Sequence, residues 1–292
     1  MAKFWAAAIF VLTMAISHPS FALGKLGHHI VCQLAFDQLS EGKQNKITAL
    51  LNTIPNQHKT LINRYNYQKE GNDITFDSAC TWADAIKRLE EYKSFNAWHY
   101  MNVPRSKREI KANECSENCL PQAIVFHQDV LAHPQKSSSW QQAQALLFIG
   151  HWLGDIHQPL HTSFKDDLGG NKVNFAHSQT KCTNLHWYWD ECILYKGKKS
   201  KSKWLTLLNN KLKEESQPDW KPEQVWQWAD ESFQIATQSS FYYCHKDSEN
   251  TCQKPANKIK LPYDYLEHYQ PVMEQQLLKA AQRLTNVLEA SL

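Results

Sequence analysis

The stretch Ser138-Ser-Trp-Gln-Gln-Ala-Gln-Ala-Leu-Leu-Phe-Ile-Gly-His151-Trp-Leu-Gly-Asp155-Ile-His157-Gln-Pro-Leu-His161 decides how this chain is read. From 138 to 155 its apolar residues recur at helical spacing, which predicts one long helix. Ser137, Ser138 and Ser139 supply N-cap hydroxyls, and Pro159 limits how far the helix can run. Near the helix end His151 and Asp155 stand four residues apart, so both lie on one face, a turn from each other. His186-Trp-Tyr-Trp-Asp190 repeats that spacing. Imidazole nitrogen and carboxylate oxygen are ligands zinc takes, and each such pair fixes two of the usual four. With His28 and His99 elsewhere, the chain holds more ligands than one zinc ion needs. The pattern implies a multinuclear metal site built for hydrolysis.

Outward from this stretch, the same apolar periodicity predicts helices at 27–39, 79–92, 121–131, 223–239 and 265–290. Strand-like alternation is scarce, and 172–175 is the best short candidate. No internal repeat occurs. Gly is rare at 9 residues while Trp reaches 11, as in a helical bundle with an aromatic-rich core. The expected fold is mainly α, a single-domain helical bundle occupying 23–292.

Residues 1–22 read as a secretory signal peptide. Lys3 gives the positive start, 4–16 is almost wholly apolar, and Ser20-Phe-Ala22 puts small residues where a signal peptidase reads. The segment is too short and too weakly flanked for a stop-transfer helix, and no later stretch approaches the roughly 18 apolar residues of a span. The mature chain is therefore expected to be soluble and exported, either periplasmic or secreted, with Leu23 as its new N-terminus. The leader carries one Lys and no acid, which leaves 31 basic against 29 acidic residues, a net of +2 where the whole chain has +3. Any binding of nucleic acid must come from a local site rather than from bulk charge. All 8 Cys lie in the mature part, and an even count in an exported protein implies disulfides. The short spacings of Cys115 and Cys119, Cys182 and Cys192, and Cys244 and Cys252 suit local loops and leave Cys32 with Cys80. That is one pairing among the roughly hundred that eight Cys allow. The absence of an Asn-x-Ser/Thr sequon fits a bacterial exported protein.

Six motifs follow one another along the chain: Gly24-Lys-Leu-Gly27-His28, Trp82-Ala-Asp84, Trp98-His99-Tyr100, Gly154-Asp155-Ile-His-Gln-Pro-Leu-His161, Gly169-Gly170-Asn171 and Asn184-Leu-His186-Trp-Tyr-Trp-Asp190. On these motifs the chain resembles the trinuclear-zinc, single-strand-specific nucleases of the S-one/P-one type, over Leu23 to about Asp190. The C-terminal helices suit that family's α-bundle, which it shares with zinc phospholipase C. The resemblance implies three Zn²⁺. One ion of a close pair would take Asp84, His99 and His151. The other would take His28 with the α-amino and carbonyl groups of Leu23, and Asp155 would bridge the two. The third would take His161, His186 and Asp190. Leu23 departs from the Trp usual at that terminus, but its ligand atoms are backbone, and they exist only once the leader is cleaved.

The implied chemistry follows from charge. Three zinc ions against the carboxylates Asp84, Asp155 and Asp190 leave an excess of about +3 to meet a phosphodiester. A water shared by the close pair would ionise near neutral pH and attack phosphorus in line, and a third ion holding the departing 3′-oxygen implies 5′-phosphate products. Asp84 and Lys87 are the implied catalytic residues; Lys87 lies one turn beyond Asp84 and would stabilise charge on the non-bridging oxygens. For the base, the resemblance implies stacking on Tyr100, hydrogen bonds from Asn102 and Asn171, and an apolar wall from Leu168. Asn102 stands where fungal members carry Asp. A duplex cannot offer a splayed base to such a pocket, so single-stranded DNA and RNA are the implied substrates, with 3′-nucleotides as a further one. A monomer without membrane contact is expected.

Several histidines are set aside as ligands. His157 sits inside the densest motif, but the resemblance does not require it as a ligand, and His29 follows His28 and should point elsewhere on its helix. His58, His127, His133, His177, His245 and His268 have no partner at ligand spacing, and Trp82, Trp152, Trp187 and Trp189 read as core. Two other functions stay open at this point. A zinc-dependent phospholipase C would share fold and metals. An exported structural zinc-binding protein would not be an enzyme, although its sites would be closed by four protein ligands, whereas His161, His186 and Asp190 stop at three.

Overall fold

The computed structural model describes residues 23–292 apart from 116–117, 179, 196–198, 213–220, 222–223 and 256–257. The predicted leader, 1–22, lies outside the described residues. The chain runs through α1 (Lys25–Gln38), α2 (Glu41–Asn52), α3 (Asn56–Tyr65), α4 (Phe76–Ala79) and α5 (Trp82–Ile86), then a 3₁₀ helix at Glu90–His99. It continues with α6 (Leu120–Ala132), α7 (Ser139–Asp155), a 3₁₀ turn at Pro159–His161 and α8 (Leu185–Trp187). A π-helical turn, Tyr188–Cys192, joins α8 to α9 (Ile193–Tyr195). The chain ends with α10 (Lys201–Leu212), α11 (Gln224–Ala236) and α12 (Tyr265–Ser291). It is a single mainly α domain.

The quoted stretch supplies the centre. Ser138 caps α7 by accepting from the Gln141 N–H at 3.3 Å, while the Gln141 side chain returns a bond to the Ser138 N–H at 2.8 Å. Every residue from 145 to 155 is buried, so α7 is enclosed on all sides, with α1, α2, α5, α6 and α12 packed around it. Its Gly150 and Gly154 face α1. A Cβ at Gly150 would meet Cys80 Sγ at 2.3 Å, and one at Gly154 would meet His28 Nδ1 at 2.7 Å. The missing side chains let the Cys32–Cys80 disulfide and the His28 ring settle directly on the helix backbone.

Two expectations are corrected. The helix predicted over 79–92 is broken into α4, α5 and the 3₁₀ helix. Cys80 is tied to Cys32, its carbonyl is turned to His151 Nδ1 at 2.7 Å instead of up the helix, and Leu89 is extended with ψ 134°. The strand candidate at 172–175 makes only isolated bridges, Asn174 with Asn184 and Phe175 with Ile259. Among the described residues the one ladder is the hairpin His245–Lys246 with Cys252–Gln253. The four disulfides are Cys32–Cys80, Cys115–Cys119, Cys182–Cys192 and Cys244–Cys252. Among the described residues no helix is long and apolar enough to cross a membrane.

Candidate metal centre

Seven elements deliver eight side chains to one end of α7. His28 comes from α1, Asp84 from α5, His99 from the end of the 3₁₀ helix, and His151 with Asp155 from the last turn of α7. His161 comes from the Pro159–His161 turn, His186 from α8 and Asp190 from the π-helical turn. All eight are buried. They fall into three groups whose ligand atoms lie within 4.8 Å of one another: His28, Asp84 and His151; His99, His151 and Asp155; His161, His186 and Asp190. His151 belongs to two groups, so the first five residues make one continuous cluster, in which His28 sits with Asp84. Leu23 is 2% exposed and lies against the same corner, since a Cβ at Gly27 would meet its Cγ at 2.5 Å and one at Gly154 its Cδ2 at 3.2 Å.

The backbone sets the tautomers. His151 Nδ1 donates to the Cys80 carbonyl at 2.7 Å, His161 Nδ1 to the His99 carbonyl at 2.7 Å, and His186 Nδ1 to the Gly169 carbonyl at 2.6 Å. Each bond leaves Nε2 with its lone pair pointing inward. His99 turns the other way and presents Nδ1, 3.0 Å from Asp155 Oδ2. His28 Nε2, His161 Nε2, His186 Nε2, Asp155 Oδ1 and Asp190 Oδ2 are buried without a hydrogen-bond partner. Polar atoms stranded together in this way are costly, and cations among them would satisfy all five. The donor set therefore fits zinc.

Two of the carboxylates and three of the five histidines take the protonation states that fit requires. Burial works against the Asp84 charge, but Lys87 and the neighbouring histidines hold the carboxyl well below the usual range. Asp155 is likewise held down by His151 and His161 against its burial. Burial and His151 push His28 down to about 4, and burial lowers His99 and His186. Ionised carboxylates and neutral imidazoles are the forms that bind metal. His151 and His161 run counter to burial: Asp155 and Asp84 raise His151, and Asp155 and Asp190 raise His161 to about 9, as expected of imidazoles wedged between carboxylates.

Around the cluster, Lys87 Nζ donates to Asp84 Oδ1 and the Tyr65 hydroxyl donates to Asp84 Oδ2, both at 3.0 Å. Gln158 donates to Asp190 Oδ1 at 2.6 Å. Tyr100 and Asn102 alternate with the buried Met101 and Val103 on an extended segment, whose N–H groups bond to His161 and Ser163 carbonyls at 2.7 and 2.8 Å. Tyr100 is 44% exposed, and its chain neighbours His99 and Met101 bond to His161 through their backbone groups. Asn102 keeps a buried, unpartnered Oδ1. Leu168, 53% exposed, and Asn171 ride the turn that holds His186, with Asn171 Nδ2 donating to the Leu168 carbonyl at 2.8 Å.

On the Asp84 side a cleft of about 870 Å³ opens. Lys25, Arg64, Lys87, Arg88 and Lys181 line it against only Asp84 and Glu191 as acids, an excess of +3. Tyr65, Tyr67, Trp187 and Tyr195 add aromatic surface, and Lys25 Nζ lies 3.7 Å from the Tyr67 ring centre.

The family model for S1/P1 nuclease matches residues 23–292. The chain belongs to the S1/P1 nuclease family. Endonuclease 3 of Arabidopsis thaliana is 29% identical over 198 residues, 66% of this chain and 61% of that protein. Endonuclease 4 of the same plant is 27% identical over 301 residues, 97% of this chain and 93% of its own length. Nuclease S1 of Aspergillus oryzae is 26% identical over 185 residues, 61% of this chain and 56% of that nuclease. The matched stretch thus spans less than two thirds of Endonuclease 3 and of Nuclease S1.

Within this S1/P1 nuclease fold, four of the histidines set aside from the sequence, His157, His29, His58 and His127, are occupied elsewhere. His157 donates through Nδ1 to Leu153 O at 2.7 Å and faces Arg283 at 2.8 Å through Nε2; burial and that guanidinium hold it neutral. His29 pairs with Asp77 and Asn66, His58 with Trp82, and His127 with Ala123 O. Sequence reasoning missed Tyr65, Gln158 and the basic cleft. Gln158 stood inside a quoted motif and could have been found there, whereas the cleft collects residues from 24 to 195 that no spacing connects.

Proposed function

We propose that this S1/P1 family member is a zinc-dependent phosphodiesterase that hydrolyses single-stranded DNA and RNA to 5′-phosphorylated products and also acts as a 3′-nucleotidase. One observation carries the reading: buried His and Asp atoms without partners are gathered in one cluster with Asp84, and Asp84 also lines a cleft whose excess charge equals that of the whole chain. Of the three zinc ions, one would be held by Asp84, His99 and His151, one by His28 with the Leu23 terminus, with Asp155 shared, and one by His161, His186 and Asp190. When bound, zinc supplies Lewis acidity toward phosphoryl oxygen and lowers the pKa of water toward neutrality. Removal of 1–22 during export, to the periplasm or beyond, would free the Leu23 amine.

The chain's own groups do the rest. Asp84 is catalytic through its place in the cluster, kept ionised by Lys87 and oriented by Tyr65. Lys87, with its side chain 15% exposed, lines the cleft, where its charge would meet the non-bridging oxygens. Tyr100 offers a stacking face, worth about 1–3 kcal/mol per base, and Leu168 closes the apolar side. Asn102 and Asn171 bond the base edge. A base held in a stacked duplex reaches none of these, which supports single-strand preference and only mild choice among bases. The basic cleft favours a polyanion over the choline lipid that a phospholipase C would take.

The test is zinc content per chain of leader-cleaved protein, measured beside cleavage of single-stranded DNA, RNA, duplex and phosphatidylcholine. Three equivalents, loss of activity on chelation and cleavage of single strands alone are expected. Fewer than two equivalents, turnover that survives exhaustive chelation, or turnover of lipid alone would overturn the reading.

A further inference from the structure

Beneath the turn that carries Leu168 and Asn171 lies a carboxylate that no step above uses. Asp167 is fully buried. Its Oδ1 accepts from the Gly170 N–H at 2.8 Å and from the Tyr243 hydroxyl at 2.7 Å, and its Oδ2 accepts from Arg105. The Arg105 guanidinium also grips Asp166 through Nε at 3.0 and 3.1 Å and stacks on Phe164, 4.4 Å from the ring centre. Burial and the Asp167 charge hold the Tyr243 phenol well above its ordinary value, so it stays a donor.

The turn above is one that does not form unaided. Leu168, Gly169 and Gly170 take consecutive φ values of 58°, 63° and 82°, all left-handed, and Leu168 pays the Cβ penalty. A Cβ at Gly169 would also lie 2.6 Å from the Leu160 carbonyl. The strained turn has two working faces. Outward it presents Leu168 and Asn171. Inward, the Gly169 carbonyl receives the His186 Nδ1 proton at 2.6 Å, which fixes the nitrogen that His186 offers the third group.

We propose that Asp167, clamped by Arg105 and Tyr243, is a positioning residue that ties nucleotide contact at Leu168 and Asn171 to metal binding at His161, His186 and Asp190. The proposal rests on the nuclease reading above. One carboxylate sets the turn, and the turn sets both faces together, so loosening it disturbs base contact and the third metal in the same step. An amide is not equivalent. Asparagine could still accept from Gly170 and Tyr243, but its NH₂ would face the Arg105 donors.

The experiment uses leader-cleaved enzyme and two variants, Asp167→Asn and Tyr243→Phe, with Ser138→Ala as a control that loosens the distant start of α7. Two quantities are read: zinc retained per chain against graded chelator, and KM and kcat on a single-stranded oligonucleotide. For Asp167→Asn one of three zinc equivalents should leave at about 10–100-fold lower chelator, as when a hydrogen bond that orients a metal ligand is lost. KM should rise about fivefold, the worth of one hydrogen bond. Tyr243→Phe keeps the ring and should show both changes in smaller measure, which keeps the test decisive if Asp167→Asn fails to fold. Ser138→Ala should lower Tm and move neither readout. Variants that melt earlier but hold zinc and substrate as the wild type does would reduce Asp167 to a fold stabiliser. A wild-type enzyme with fewer than two zinc ions or without cleavage would instead sink the nuclease reading itself.

Discussion

At the scale of single residues, Lys87 separates electrostatics from architecture. Its ammonium lies 3.0 Å from Asp84 Oδ1, so it could be only the salt partner of a buried carboxylate. Tyr65 already bonds the other Asp84 oxygen, and the cluster histidines also hold Asp84 ionised. Asp84 therefore keeps its charge and much of its orientation without Lys87. Lys87→Ala should lower kcat about a hundredfold or more, as when one donor to a developing oxyanion is lost, while zinc content stays at the wild-type value. Steady-state kinetics beside metal analysis checks this, and unchanged kcat would leave Lys87 as a structural ion pair. The ligand pairs His151–Asp155 and His186–Asp190 were legible because a helix turns four-residue spacing into adjacency. His28, His99 and Asp84 were not legible in that way: they come from three other segments, and only the family motifs pointed to them. Tyr65 gave no signal, since nothing in its neighbourhood marks it as a partner of a carboxylate nineteen positions on.

Among elements, those read from the sequence were the ones with strong apolar stripes. The predicted 138–155, 121–131 and 265–290 match Ser139–Asp155, Leu120–Ala132 and Tyr265–Ser291 to within a residue or so. α2 went unread because only Ile47 and Leu51 are buried on it, and α3 and α10 are similarly sparse. Such helices are held by specific polar ties more than by apolar area. Asp77 on α4 is one such tie, accepting from His29 on α1 and Lys201 on α10, each at 2.7 Å. Burial opposes its charge, but His29, Lys201 and Thr75 hold the carboxyl below the ordinary value. A depressed carboxyl contributes stability above its unfolded pKa of about 3.9 and loses it as pH falls through the folded value. Asp77→Asn should therefore cost about 1–3 kcal/mol at pH 7, and the gap to wild type should close progressively below pH of about 4. Denaturant melts of chelated protein across that window check the sign without interference from the metal ligands; a gap that widens in acid would remove Asp77 as the tie.

For the whole molecule the question is how a chain with a formal charge of only +3 would hold a polyanion. Charge placement answers it. The basic cleft concentrates an excess of +3 in about 870 Å³ next to Asp84 and Lys87, and the remaining surface is close to neutral overall. Field focused in that way acts on a strand long enough to enter the cleft and scarcely on one nucleotide at the metal groups. If three or four phosphates meet the cleft, log KM for a single-stranded oligonucleotide should rise with log salt at a slope of roughly 2–3, at about 0.7 per contact. A 3′-mononucleotide should show a much shallower dependence. Arg64→Ala combined with Arg88→Ala removes two rim charges that touch no metal-group residue, and should lower the oligonucleotide slope by about 1.4 with kcat retained. Salt titrations of KM on both substrates decide the matter. Equal slopes for the long and short substrates would mean that the strand bypasses this cleft, and that attraction comes from the metal groups alone.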